Sequence, residues 1–273
     1  MTMDQRKIYL SVRLASQAIK DKDMLEALAV NILIKRYEVS SVFKNATVRR
    51  LKDVLHVGTE RAKRIIDREV GFQRSGATIF NLLEKDKNNN ILALRIRATN
   101  RYKHNFILIF EADKTYSVSN VMDMVRSCVL ANKIKSQAYI ADTVQKAENP
   151  RNMREFRLAK KRLKRLEAKQ SYTNNGIKRN YTGENNGFSY SAVMKATNTK
   201  RYKAKKLIRG LVIRGVVLSK EVIKPTLIQA EEYSRNFAHY FNECGVSGRL
   251  FVKDGNVMLQ LANVYDYVGD IID

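Results

Sequence analysis

The chain has 273 residues, 44% hydrophobic and 29% charged, which excludes an intrinsically disordered protein and leaves room for two domains. Its 51 Lys and Arg face 27 Asp and Glu, a net charge of +24 that makes a polyanion the natural partner. No apolar run, secretion signal, lipidation motif or amphipathic anchor stands out, so a cytoplasmic protein (in a bacterium or an infected host cell) with no membrane partner is expected.

Taken in order, Ile8 to Leu14 is a predicted first strand. Asp21 and Asp23 precede Met24, Leu25, Leu28, Ala29, Ile32 and Leu33, whose four-residue spacing predicts a helix over 23–37. The next segment, TVRRLKDVLHVGTERAKRII (Thr47 to Ile66), opens on a hydroxyl residue that can cap a helix. A short amphipathic helix, a small break and a second helix crowded with Lys and Arg are predicted within it. Gly71 and Gly76 are expected to end that helix. Thr78 to Leu83 can run as a strand, with a turn at Lys87 to Asn90. Leu92, Leu94 and Ile96 alternate with Ala93, Arg95 and Arg97, the pattern of a half-buried strand, and Phe106 to Phe110 is a short buried one. This is the element order of a winged helix-turn-helix.

A helix is predicted from Ser117 to about Ala147, ended by Pro150. Arg151 to Gln170 follows as a basic helix whose large apolar positions are Phe156, Leu158, Leu163 and Leu166. It can lie along a phosphate backbone or be a solvated surface helix. Ser171 to Gly187, rich in Gly and Asn, reads as a linker.

Then comes SYSAVMKATNTKRYKAKKLI (Ser189 to Ile208), which matches the first basic segment at an offset of 142 (189 − 47). Ala62, Lys63 and Ile66 fall on Ala204, Lys205 and Ile208; Arg61, Arg64 and Ile65 fall on Lys203, Lys206 and Leu207. A short wing strand is expected within Val216 to Leu218. Pro225 is expected to open a helix carrying Leu227, Ile228, Phe237 and Phe241, and RLFVKDGNVMLQL a hairpin turning at Asp254-Gly255. Residues 221–273 hold eight acidic and four basic side chains, so this end is the candidate contact for replication or transcription proteins rather than for DNA. The expected fold is mostly α with small β wings (α+β). Four segments are expected: a first winged-helix domain (1–113), a helical connector (114–172), a second winged-helix unit (173–220) and an acidic end (221–273).

Both basic segments resemble the helix-turn-helix family of DNA-binding proteins over about twenty residues. The family's apolar packing positions are matched by Leu51, Leu55, Val57, Ala62 and Ile65, and in the second unit by Val193, Ala204 and Leu207. Lys52 and Met194 stand where a small residue is usual, Thr197 and Thr199 where apolar ones are. His56 and Asn198 stand where Gly is common, though both types tolerate a left-handed backbone. The tandem order looks like that of plasmid and phage replication initiators, which implies tandem winged helix-turn-helix domains gripping adjacent major-groove segments. In this reading Thr47 and Ser189 cap the first helix of each unit, Thr59 and Thr199 the second. Glu60, Arg61 and Arg64, and Arg201, Tyr202 and Lys205, reach base edges; Lys63, Arg68, Lys206 and Arg209 lie along the phosphates, and Lys200 and Lys203 are further DNA-binding candidates. Arg95, Arg97 and Arg101 are wing candidates.

Catalysis finds no motif. His56, His104 and His239 form no paired-His metal set, and Walker, Gly-x-Ser-x-Gly and Cys-x-x-Cys patterns are absent. Cys128 and Cys244 have no metal-ligand spacing and fit a reducing compartment. The expectation is a non-enzyme without metal or cofactor that binds specific double-stranded DNA, as an initiator or equally as a transcriptional regulator of a mobile element, and compatible with an oligomer. A non-specific RNA- or virion-coating protein is the rival from another class.

Overall fold

A computed structural model of the chain describes residues 5–38, 42–74, 82–85, 91–95, 98–100, 105–168, 190–221, 223–229, 249–260, 263–269 and 271–272. The described part is mostly helical, with small sheets whose strands pair antiparallel at all but one place. The chain divides into two compact units: residues 1–132, 194–216 and 269–273 form one, and 133–193 with 217–268 the other. Each unit is therefore assembled from separated stretches of sequence.

In the first unit, strand β1 (Gln5–Ser11) pairs antiparallel with β5 (Asn105–Glu111). The predicted strand stops three residues early because Ser11 turns into a helix cap, its Oγ accepting from the Leu14 amide of α1 (Val12–Ala18). Helix α2 (Lys22–Tyr37) begins as its acidic cap foretells, Asp21 accepting from the Asp23 and Met24 amides. Every residue from Leu25 to Ile34 is buried. Strand β2 (Val42–Lys44), α3 (Val48–Leu55) and α4 (Thr59–Arg74) follow. Gly71 lies inside α4 instead of ending it; it is exposed, and nothing lies within 4 Å of where its Cβ would stand. Strands β3 (Leu82–Lys85) and β4 (Ile91–Arg95) complete a three-stranded sheet in the order β2-β4-β3. Gly76, Thr78, the turn at 87–90, Arg97, Arg101 and His104 lie outside the described residues.

Helix α5 (Val118–Glu148) starts at Ser117, whose Oγ accepts from the Asn120 amide at 3.2 Å, and its buried row Val121, Val125, Cys128 and Val129 is the predicted one. In the second unit, α6 (Met153–Ala168) is capped by Asn152, which accepts from the Glu155 amide. Helix α7 (Tyr190–Thr197) runs across the division at residues 193–194, α8 (Arg201–Ile213) belongs to the first unit, and β6 (Val217–Lys220) to the second. Strand β6 finds its partner in β10 (Val264–Tyr267), over forty residues on.

The helix expected after Pro225 is instead strand β7 (Ile223–Gln229), at the edge of a sheet ordered β7-β9-β8. An edge strand tolerates a proline because its missing N–H can face away from the ladder. Leu227 and Ile228 therefore lie in a strand; Phe237 and Phe241 are outside the described residues, as are Cys244, His239 and the linker Ser171 to Gly187. Strands β8 (Arg249–Lys253) and β9 (Asn256–Gln260) form the predicted hairpin, with Asp254 and Gly255 both at positive φ (51° and 76°) as a tight primed turn requires. The short β11 (Ile271–Ile272) pairs parallel with β5.

Candidate nucleic-acid interface

The repeat read in the sequence is repeated in the backbone. Helix α3 covers 48–55 and α7 covers 190–197, the same eight positions shifted by 142 (190 − 48). Helices α4 and α8 start at Thr59 and Arg201, again 142 apart. Between the helices His56 (φ 49°) and Asn198 (φ 50°) both take the left-handed conformation. The same hydrogen bonds close both turns: the Val57 amide donates to the Lys52 carbonyl and the Thr199 amide to the Met194 carbonyl, each at 3.2 Å. The Ala62 amide donates to Gly58 and the Ala204 amide to Lys200, each at 3.0 Å.

Packing follows the same register. Leu51, Leu55, Ala62, Ile65 and Ile66 are buried, and so are Val193, Thr197, Ala204, Leu207 and Ile208. Thr197, fully buried in the slot that Leu55 fills, shares a 2.7 Å hydroxyl–hydroxyl hydrogen bond with Thr199. That bond lets a polar pair replace an apolar one without stranding a buried hydroxyl. From Arg61 to Gly71 and from Lys203 to Ile213 the sequence of buried, half-buried and exposed positions is identical, residue for residue.

Helix caps differ from expectation. Thr47 caps α3, accepting from the Arg50 amide at 3.3 Å; Ser189 is outside the described residues. Thr59 is the first residue of α4, and the Gly58 carbonyl takes the cap's role. Lys200 holds the cap position of α8 without a side-chain hydrogen bond, and Thr199 precedes it. The second-helix threonines are thus not caps, because the chain enters each helix one residue away from where capping would need them.

The basic residues split into two groups. Arg61 lies on the inner edge of α4: its Nε and a terminal nitrogen both reach Glu26 Oε1 at 2.7 Å, and Glu26 on α2 is only 3% exposed. Arg68, 9% exposed, forks between Glu26 Oε2 and Glu69 Oε1, both at 2.8 Å. Arg68 is therefore engaged by internal carboxylates, through burial and two short ion pairs that its sequence position does not reveal. Lys203, at the position equivalent to Arg61, makes the matching bond, 2.8 Å to Asp123 near the start of α5. Each basic helix is thus fastened through its third residue to an acid on an earlier helix. Asn198 adds a second tie, donating to the Ile19 carbonyl at 3.1 Å.

The other candidates face outward. On α4, Thr59, Glu60, Lys63 and Arg64 are exposed; Glu60 and Lys63 pair at 3.1 Å, and Arg64, 62% exposed, comes within 3.7 Å of Glu26. On α8, Arg201, Lys205, Lys206 and Arg209 are exposed, and Tyr202 stands 82% in solvent. Helix α8 contains no acidic residue, so its field is unopposed from within. The β4 arginine Arg95 is exposed and bonded to Glu84 at 2.5 Å.

Glu69 has a displaced titration. Burial pushes it up to about 7, against the opposing pull of Arg68, with the Glu26 charge adding to the rise. Its Oε2 is buried and unpartnered. Sequence reading missed Glu26, Glu69 and Asp123. The available signal was a lone acid inside the apolar run MLEALAVNILI, since a charge there must find a partner.

Among the described residues no helix is long and apolar enough to cross a membrane. No protein family, curated protein or solved structure matches the chain.

Proposed function

We propose that this chain binds double-stranded DNA at a specific sequence through two helix-turn-helix units, α3–α4 and α7–α8, as the replication initiator of a plasmid, phage or other mobile element. One observation carries the reading: the first helix, the left-handed turn and the start of the basic helix recur at an offset of 142 (190 − 48), with the same turn hydrogen bonds and the same burial pattern. A short helix backing an outward basic helix is the arrangement that sets side chains into a major groove. The order α2, β2, α3, α4, β3, β4, with β2 paired to β4, is also that of a winged helix, and supports a wing at the β3–β4 hairpin beside Arg95.

In this reading Glu60 and Arg64, and Arg201, Tyr202 and Lys205, address base edges, while Lys63, Lys206 and Arg209 take phosphates. Arg61 and Lys203 hold the helices in place. The resemblance to tandem initiators supplies the replication role.

Selection of bound fragments from a random duplex library tests the proposal. A defined site is expected, adjacent to a helicase-loading region in the parental replicon. Arg201→Ala with Lys205→Ala should then lower preference for that site about 30-fold or more, since two base contacts worth roughly 1–3 kcal/mol each are removed. Equal losses on all sequences would refute the base-reading assignment.

A further inference from the structure

Helix α6 has its own surface. Ala159 is buried, and Leu163 and Leu166 pack on the buried Ile140 and Val144 of α5, so one face of the helix is fully used. Arg154, Arg157, Lys160, Lys161, Lys164 and Arg165 project from the rest, all exposed. Of these, Arg154, Arg157, Lys161, Lys164 and Arg165 make no ion pair with another described residue, whereas Arg61, Arg64 and Arg68 of α4 all meet Glu26. At the start of α6 a cleft of about 340 Å³ adds Lys146, Arg151 and Arg162 to Arg154. The one carboxylate on it, Glu155, accepts the Arg151 amide.

Like charges three and four apart repel on a helix. Arg157–Lys161, Lys160–Lys164 and Lys161–Arg165 are such pairs, and folding does not require them, because the packing face lies opposite. From Arg154 to Arg165 the helix rises about 16 Å at 1.5 Å per residue. At one phosphate per 3.4 Å on each strand, that length matches about five successive phosphates. An anionic membrane needs a continuous apolar face beside the cationic one; here Ala159, Leu163 and Leu166 are turned inward, and only Met153 and Leu158 of the helix's large apolar residues are exposed.

We infer that the exposed face of α6, with the cleft at its start, is a third contact that grips the phosphodiester backbone of nucleic acid without regard to sequence. The inference rests on the DNA-binding reading and assigns affinity to α6, leaving choice of sequence to α4 and α8.

The test is the salt dependence of binding by the full chain. Affinities of the parent and of R157Q/K161Q/K164Q/R165Q are measured from 50 to 200 mM NaCl on the selected duplex and on a random duplex. Each phosphate contact contributes about 0.9 to the log–log slope, so the slope should shrink by up to about 3.6 on both, with the ratio between duplexes kept. A decrease of 1 or more on both duplexes supports the inference; a smaller one overturns it, as does a loss confined to the selected duplex. Should the quadruple variant show a changed circular-dichroism spectrum, the single variants R157Q and K164Q decide instead: each is expected to remove about 0.9, and a decrease below about half of that in both overturns the inference. Parent protein that binds no duplex overturns the DNA reading along with this one, whereas an unchanged slope in the variant overturns this one alone. Phosphatidylserine vesicles bound by the parent more tightly than duplex, and not by the variant, would move the face to membranes and likewise overturn it.

Discussion

Glu26 is the side chain on which the first basic helix depends. Replacing it by Gln keeps the shape and one carbonyl acceptor but removes the charge that Arg61 and Arg68 share. Arg68 is 9% exposed and its partner 3%, so this is a buried pair, and stripping one partner from such a pair costs about 3–5 kcal/mol. Arg61 is a third exposed, and its share is screened to about 0.5 kcal/mol. Glu69 still faces Arg68, and it loses a like-charged neighbour when Glu26 is neutralised, which returns part of the loss. The net expectation is a destabilisation of about 3 kcal/mol, read as a lower urea midpoint of the far-UV signal at pH 7.5. A double-mutant cycle with Arg68→Met completes the test. Because removing both charges strands neither, the double variant should be more stable than the two single losses add up to. A loss below about 1 kcal/mol for Glu26→Gln, or strict additivity in the cycle, would show that the ion pair does not hold α4 to α2.

Glu69 titrates at about 7 folded against 4.5 for the free group, so the folded state binds the extra proton and stability falls as pH rises from 4.5 through 7. The penalty is absent below 4.5 and complete above 7; Glu69→Gln should therefore gain about 2–3 kcal/mol on wild type at pH 8 relative to pH 5 in paired urea titrations. His56→Gly removes a left-handed non-glycine residue and should raise stability by about 1 kcal/mol. Asn198→Gly should show no such gain, since it also gives up the bond to the Ile19 carbonyl; equal thermal shifts for both would contradict the assigned role of Asn198. Thr47→Ala should cost about 1 kcal/mol by loss of the α3 cap, while Thr59→Ala, at a position that caps nothing, should change the melting temperature little.

The amino-acid sequence alone determined the repeated unit, because everything that makes it is local. Apolar spacing sets the helices, Thr47 caps one, and His56 and Asn198 accept the left-handed turn within a few bonds of the residues they join. The tail hairpin was legible for the same reason: Asp254-Gly255 encodes its own turn. What the basic side chains do was a matter for the tertiary structure. Arg61 and Arg68 look in sequence like Arg64, yet they close on a carboxylate 35 and 42 residues away, while Arg64 stays largely in solvent. Strand β6 likewise finds β10 across a long excursion, and Pro225 sits in a strand only because that strand lies at a sheet edge. Caps and turns act over a few bonds, so the residues themselves specify them. Ion pairs and strand partners depend on which remote segments packing brings within 3 Å, and no pattern along the chain records that.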